Sequence, residues 1–135
     1  MSWPTLFANP PADLELRYRT GTKRAPEGES LLVVHGAGVA TLERWRGGAR
    51  TLTEGRLSAA EVRALFASLG ATGFPDVVAQ TVPPGPGMIA LEIGGGPEQV
   101  PLLMHRSFVR DLPAWSALVQ RLDGLLETLA AGATR

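Results

Sequence analysis

The chain has 135 residues, of which 44% are hydrophobic and 19% charged, and it contains 16 glycines and 11 prolines. That length and composition are typical of one globular domain with many turns and exclude a disordered chain. Thirteen basic and thirteen acidic residues cancel, so no net charge attracts nucleic acid or an anionic membrane.

The absence of cysteine excludes a disulfide framework, a thiolate nucleophile and a cysteine-based zinc site. The first residues, "MSWPTLFANPPADLE", lack the basic and apolar regions of a secretion signal. No run approaches the length of about 18 apolar residues that spans a membrane. We therefore expect a soluble, cytoplasmic protein without a cofactor.

Residues 1–13 contain three prolines around Trp3, Leu6 and Phe7. They predict an extended N-terminal arm whose aromatic side chains dock either on the domain or on a partner. Residues 14–131 are predicted to form a single domain, and residues 132–135 a short tail.

The first half of the domain contains four predicted strands. "LELRYRT" (14–20) alternates apolar and polar residues, and "SLLVVH" (30–35) is an apolar run that predicts a central strand. Residues 39–46 and 50–54 follow as β-formers separated by glycines. Gly36 and Gly38 are interpreted as residues that permit positive φ in a tight turn between antiparallel strands.

A helix is predicted to begin after Ser58, because Ser58 and Glu61 have the spacing of a capping box. Four apolar residues then recur at helical spacing on one face: Val62, Leu65, Phe66 and Leu69. Gly70 is predicted to end this helix in the left-handed conformation.

The second half predicts a short strand after Gly73, then a hairpin of two strands at 88–93 and 99–105. Pro101 either places the last strand at a sheet edge or occupies a position where no hydrogen bond is needed. Asp111 is predicted to cap a second helix, with Pro113 in its first turn and a long apolar stripe from Trp115 to Leu129. The fold class is therefore α+β: an antiparallel sheet in the order β-β-β-β-α-β-β-β-α, made of two β-sets each closed by a helix, with both helices on one face.

"LLVVHGAG" (31–38) is similar to two catalytic or binding segments. A strand followed by His-Gly-x-Gly is found in the oxyanion loops of α/β-hydrolases, but none of the six serines lies in a nucleophile elbow. A dinucleotide-binding fingerprint would need glycine at position 41, where the chain has threonine. Both interpretations are rejected in favour of a hairpin, and no catalytic residue is assigned.

His35 and His105 each end an apolar strand, and the fold could bring them together. Two histidines without paired carboxylates make a poor metal site or general-base pair. We expect them to be satisfied by backbone or water, with a metal site as the alternative.

Arginines and aromatic residues provide the candidate binding residues. The segment 105–111, predicted to be a loop, contains Arg106, Phe108 and Arg110, residue types that often anchor protein contacts. Two arginine pairs of neighbouring strands are expected to share one exposed face, with the adjacent aromatics on the opposite pleat: Arg17, Arg19, Arg44 and Arg46, with Tyr18 and Trp45. Arginines near aromatics can bind nucleic acid, but the interspersed glutamates favour cross-strand ion pairs.

The segment "RTLTEGRLSAAEVRALFASLGATGF" (50–74), followed by a Pro/Gly loop, two strands and a leucine-rich helix, resembles small bacterial proteins of the emfourin type. Those are proteinase inhibitors encoded near metalloproteinases. The chain also resembles several uncharacterised bacterial domain families of similar layout. The resemblance covers about residues 30–130 and rests on the order of the elements, the capped helix and the Gly-Phe that follows it. It implies inhibition of a proteinase, but no contact motif of that family is matched, so no residue role is transferred.

The sequence leaves three functional hypotheses. The first is a non-catalytic module that binds another protein, as an inhibitor or an immunity-type partner. The second is an enzyme or small-ligand-binding protein with a site between helix and sheet near His35 and His105. The third is a homodimer formed through an uncovered edge strand.

Overall fold

Six strands form a single antiparallel sheet in the computed structural model, which describes residues 3–21, 28–74, 87–95 and 100–133. The strands are β1 (Glu15–Gly21), β2 (Glu29–His35), β3 (Val39–Arg46), β4 (Ala49–Arg56), β5 (Met88–Gly94) and β6 (Val100–His105). Their spatial order is β4-β3-β2-β1-β5-β6. The helices are α1 (Trp3–Ala8), α2 (Ala59–Ala71), α3 (Arg106–Arg110) and α4 (Pro113–Ala133).

The sheet buries one face beneath the helices, which makes the fold α+β as the sequence predicts. Tyr18 at the centre of β1 is fully buried, and Leu122 of α4 is buried with it in the core. Each strand alternates its side chains between the two faces, and the buried apolar residues of the strands all lie on the face that the helices cover. The apolar stripe of α4 fills this layer, and α2 packs beside α4.

The N-terminal segment differs from the predicted extended arm, because residues 3–8 form the short helix α1. Its aromatic side chains dock on the domain, the first of the two arrangements expected from the sequence. Phe7 stacks on Phe66 of α2 with ring centroids 6.2 Å apart, and Trp3 meets the edge of Phe74 at 5.3 Å. Burying these rings stabilises a helix too short to form alone.

The "HGAG" segment is the turn of the β2–β3 hairpin, as predicted. Gly38 has φ of 102° and donates its N–H to the His35 carbonyl at 2.9 Å. The interpretation of Gly36 as a positive-φ residue is wrong, because the positive-φ glycines do not include it. Glycine is required there since a Cβ would lie 1.9 Å from the backbone oxygen of Pro11. A strand follows the turn, so no helix N-terminus receives a phosphate or an oxyanion.

The capping box at the start of α2 is confirmed. Ser58 accepts from the Glu61 N–H at 3.1 Å, and Glu61 accepts from the Ser58 N–H at 3.1 Å. The predicted end is wrong: Gly70 lies inside the helix against Phe7, α2 continues to Ala71, and Gly73 takes the left-handed conformation with φ of 86°.

The segment before α4 also differs from its prediction. Residues 106–110 form the helix α3 rather than a loop, and Asp111 is the C-cap of α3 rather than the N-cap of the long helix. Pro113 begins α4, where its missing N–H costs no hydrogen bond. The strand predicted just after Gly73 lies outside the described residues. The edge position of β6, predicted from Pro101, is confirmed.

Candidate functional site

The face of the sheet opposite the helices carries no described helix and is here called the open face. Residues that pair directly across antiparallel strands project to the same side. From the register, the open face consists of the odd-numbered residues of β1, β2, β3 and β6 and the even-numbered residues of β4 and β5.

One cross-strand row of the open face, here called the leucine row, carries exposed leucines at both ends. Leu52 on β4 is 64% exposed and Leu103 on β6 is 42% exposed. Five strand spacings separate them, a distance of about 24 Å. From edge to edge the row is Leu52, Glu43, Leu31, Arg19, Ala90 and Leu103.

The charged side chains of the open face are largely paired with one another. Arg19 Nη1 lies 3.3 Å from Glu29 Oε1, and Arg50 Nε donates to Glu43 Oε1 at 2.8 Å. Arg17 donates to Glu15, and this hydrogen bond raises the pKa of Arg17. Exposed pairs of this kind add little stability, but they neutralise the face. A neutral surface with leucines between paired charges suits a protein better than a polyanion.

The structure corrects the predicted placement of the arginines of β3. Arg44 pairs with Ser30 and Thr51, which puts Arg44 and Arg46 on the helix-covered face rather than with Arg17 and Arg19. Trp45 lies on the open face instead, opposite Glu29 and Arg50. The predicted cluster is therefore divided between the two faces of the sheet.

Arg44 has an unusual electrostatic environment. Its Nε is buried and has no hydrogen-bond partner in the part of the chain that the structure describes. Burial lowers the pKa of Arg44, and the nearby charge of Arg46 lowers it further. The guanidinium thus loses hydration, and no acidic side chain among the described residues offsets that loss.

Arg106 lies at the centre of a polar network that joins α3, α4 and β1. Its Nη1 donates to Asp123 Oδ2 at 2.9 Å, and its Nη2 donates to Tyr18 Oη at 3.0 Å and Thr20 Oγ1 at 2.9 Å. Tyr18 in turn donates to Asp123 Oδ1 at 2.8 Å. The hydrogen bond to Asp123 raises the pKa of Arg106. Through these contacts Arg106 links α4 to the sheet.

A shallow groove of about 280 Å³ lies between α3 and α4 beside this network. Arg106 and Arg110 line it together with Gln120, because residues four apart on a helix share one side. Arg110 is exposed and Phe108 is half-buried outside the groove lining. The three predicted binding residues of this segment therefore do not form one contiguous contact site.

His35 and His105 lie at opposite ends of the sheet. His35 pairs with Glu15 at the start of β1, whereas His105 pairs with Met88, beyond the other end of the β1–β5 ladder. His105 caps α3, its Nδ1 accepting the Ser107 N–H at 3.2 Å. The two histidines do not form one site. Nowhere in the described ranges do three His, Asp or Glu side chains gather to bind a metal ion.

No family model and no curated protein matches the chain. Each helix in the described residues is too short or too polar to cross a bilayer.

The sequence reasoning missed two features. The Tyr18–Asp123–Arg106 network joins residues 105 positions apart, and no local pattern reveals such a contact. One end of the leucine row could have been predicted from the sequence. Strand alternation in "RTLTEG" (50–55) places Leu52 on the same face as Arg50 and Glu54, which predicts an exposed leucine between two charged residues.

Proposed function

We propose that the chain is a non-catalytic module that binds another protein through its open face. The single observation that carries the proposal is the leucine row, whose two most exposed members are Leu52 and Leu103. Isolated exposed leucines are common, but these lie in one cross-strand row with the half-buried Leu31, on the same face of the sheet. A partner would dehydrate the leucines while the paired charges fix its orientation.

The test is site-specific photo-crosslinking in the native organism, followed by binding measurements with the purified partner. A photoreactive residue at position 103 should capture a partner, and one at the exposed position 127 of α4 should not. Leu103→Glu should then weaken binding at least about tenfold, as expected for loss of an apolar anchor. Arg121 is an exposed residue of α4, so the control variant Arg121→Glu should bind the partner as the wild type does. Equal capture at both positions would contradict the proposal.

Within this function, an inhibitor or an immunity-type partner is the proposed biological role. The emfourin-like order of elements supports a proteinase as the target. Peptide-cleavage assays with metalloproteinases of the native organism test this role: inhibition that Leu103→Glu relieves is expected. The cytoplasm stays the predicted location.

Self-association is a second proposal, favoured by the outer edge of β4. It is compatible with partner binding, because an edge contact uses backbone groups whereas the open face offers side chains.

A further inference from the structure

β4 is an edge strand that neither a proline nor a bulge protects against pairing. In the described residues it pairs with β3 alone, and its first four residues are exposed on both faces. The opposite edge, β6, is protected by Pro101, which lacks a backbone donor. β4 contains no proline and pairs with β3 in regular register over its full length. A regular edge of this kind is a template for another strand.

The β3–β4 hairpin determines which backbone groups of β4 point outward. Gly47 and Gly48 have φ of 57° and 80°, as a two-residue type I′ turn requires. The residues that flank such a turn, Arg46 and Ala49, form a hydrogen-bonded pair, and the ladder then alternates. The free N–H and C=O groups therefore belong to the even-numbered residues of β4, whose side chains lie on the open face.

We propose that β4 pairs antiparallel with β4 of a second copy of this chain, with Leu52 on the two-fold axis. The two sheets then become one twelve-stranded sheet. In this register Leu52 faces its counterpart, and Arg50 of each copy lies directly opposite Glu54 of the other. Opposite charges directly across a strand pair are stabilising. Glu54 is exposed and forms no ion pair with the described residues.

The charge pattern selects this register over its neighbours. Centring the pair on Arg50 or on Glu54 places each charge against its own copy, which is repulsive. Centring it on Thr51 places Leu52 against Arg50, and centring it on Thr53 places Leu52 against Glu54. Only the Leu52-centred register combines two opposite-charge pairs with an apolar pair.

Helix α4 contacts β4 at some distance from the proposed axis. It crosses β4 at Gly55, where a Cβ would lie 2.5 Å from a methyl carbon of Leu129. That crossing is three residues from the proposed axis, about 10 Å along the strand. The axis is perpendicular to the sheet, so both open faces lie on the same side of the dimer. A dimeric partner could then bind both open faces at once, which would raise its overall affinity through avidity.

Sedimentation of charge-swap variants tests the proposal. Wild type should sediment with twice the monomer mass of 14.3 kDa at high concentration and dissociate on dilution. Glu54→Arg should be monomeric. The triple variant E43R/R50E/E54R should regain the dimer, because it exchanges the charges between the two copies and keeps an opposite-charge pair at positions 43 and 50. Leu103→Arg, on the opposite edge strand, is the matched control and should remain dimeric. Thermal melts establish that each variant is folded.

Single-cysteine variants test the register independently, since the chain has no cysteine. Directly opposite Cα atoms in a hydrogen-bonded antiparallel pair are about 5.5 Å apart. A short bis-maleimide should therefore link two chains of Leu52→Cys and leave Leu103→Cys unlinked. A wild type that is monomeric at millimolar concentration overturns the proposal, as does a folded triple variant that stays monomeric, or equal linking at both positions. None of these results bears on partner binding at Leu103, so the two proposals fail separately.

Discussion

The Tyr18 hydroxyl donates a hydrogen bond to Asp123 Oδ1 over 2.8 Å, which joins the centre of the sheet to the middle of α4. Tyr18 is fully buried and Asp123 is partly exposed, so the bond connects the core to the surface. Burial raises the pKa of Tyr18 well above its usual range, and the Asp123 carboxylate raises it further. The folded chain therefore strongly prefers the neutral phenol.

This shift predicts a loss of stability at alkaline pH. The pKa of Tyr18 is higher in the folded state than in the unfolded state, where the pKa of tyrosine is about 10. The stabilisation is therefore complete below pH about 10 and is lost as pH rises through the folded-state pKa. Tyr18 is the only tyrosine, so tyrosinate absorbance reports this residue alone. We expect titration near pH 10 in urea, and in the native protein only together with alkaline unfolding. A reversible native titration near pH 10 would contradict the burial of this hydroxyl.

The same network predicts coupling between Tyr18 and Asp123. Tyr18→Phe removes the hydrogen bond that the hydroxyl donates to Asp123 and the one that it accepts from Arg106, and it should lower the free energy of unfolding by about 1–2 kcal/mol. Asp123→Asn removes the charge that Arg106 contacts at 2.9 Å and should cost about 1–2 kcal/mol, moderated by partial exposure. In a urea-denaturation double-mutant cycle the two effects should not add. Additive losses would show that the hydroxyl and the carboxylate act independently.

Local patterns predict the fold more fully than the candidate site. The capping box at Ser58 and the strand alternation around Tyr18 each depend on residues within one turn or one pleat, and both are confirmed. The predicted face of Arg44 is wrong because the prediction grouped the arginines by their charge and not by their position along the strand. The even-numbered residues of β1 and β3, including Tyr18 and Arg44, lie on the helix-covered face, whereas Trp45 lies on the open face.

The N-terminal helix and α3 were missed for a different physical reason. Both have fewer than seven residues, too few for intrinsic propensity to reveal them. Tertiary contacts decide their conformation: Phe7 packs on Phe66, and His105 caps α3. The histidine separation similarly depends on strand order, which hydropathy alone does not determine.

The N-terminal helix should contribute substantially to stability although it is short. Phe7 is 4% exposed, and Phe7→Ala should lower the free energy of unfolding by about 3–5 kcal/mol. Asn9→Ala, at the exposed residue just beyond α1, is the control and should change it by less than about 0.5 kcal/mol. Urea denaturation followed by circular dichroism measures both. A loss below 1 kcal/mol for Phe7→Ala would mean that α1 detaches without affecting the core.

The capping box predicts a smaller and strictly local effect. Ser58→Ala removes the side-chain acceptor of the Glu61 N–H and should cost about 1 kcal/mol. Ser68→Ala lies inside α2, where alanine is the better helix former, and should not destabilise. Thermal melts of the two variants should therefore move apart. Equal losses of stability would contradict a capping role for Ser58.

Arg44 predicts a substitution that stabilises the fold. Its Nε is buried without a partner among the described residues, and burial lowers its pKa. Arg44→Leu removes this desolvation cost and replaces the charged group with an apolar side chain. It should therefore raise the free energy of unfolding by about 0.5–1 kcal/mol. Arg50→Leu is the control: it removes the exposed pair with Glu43 and should lower the free energy of unfolding slightly. Urea denaturation of the two variants decides the matter. A loss of stability for Arg44→Leu would show that the guanidinium makes a favourable contact that outweighs its desolvation.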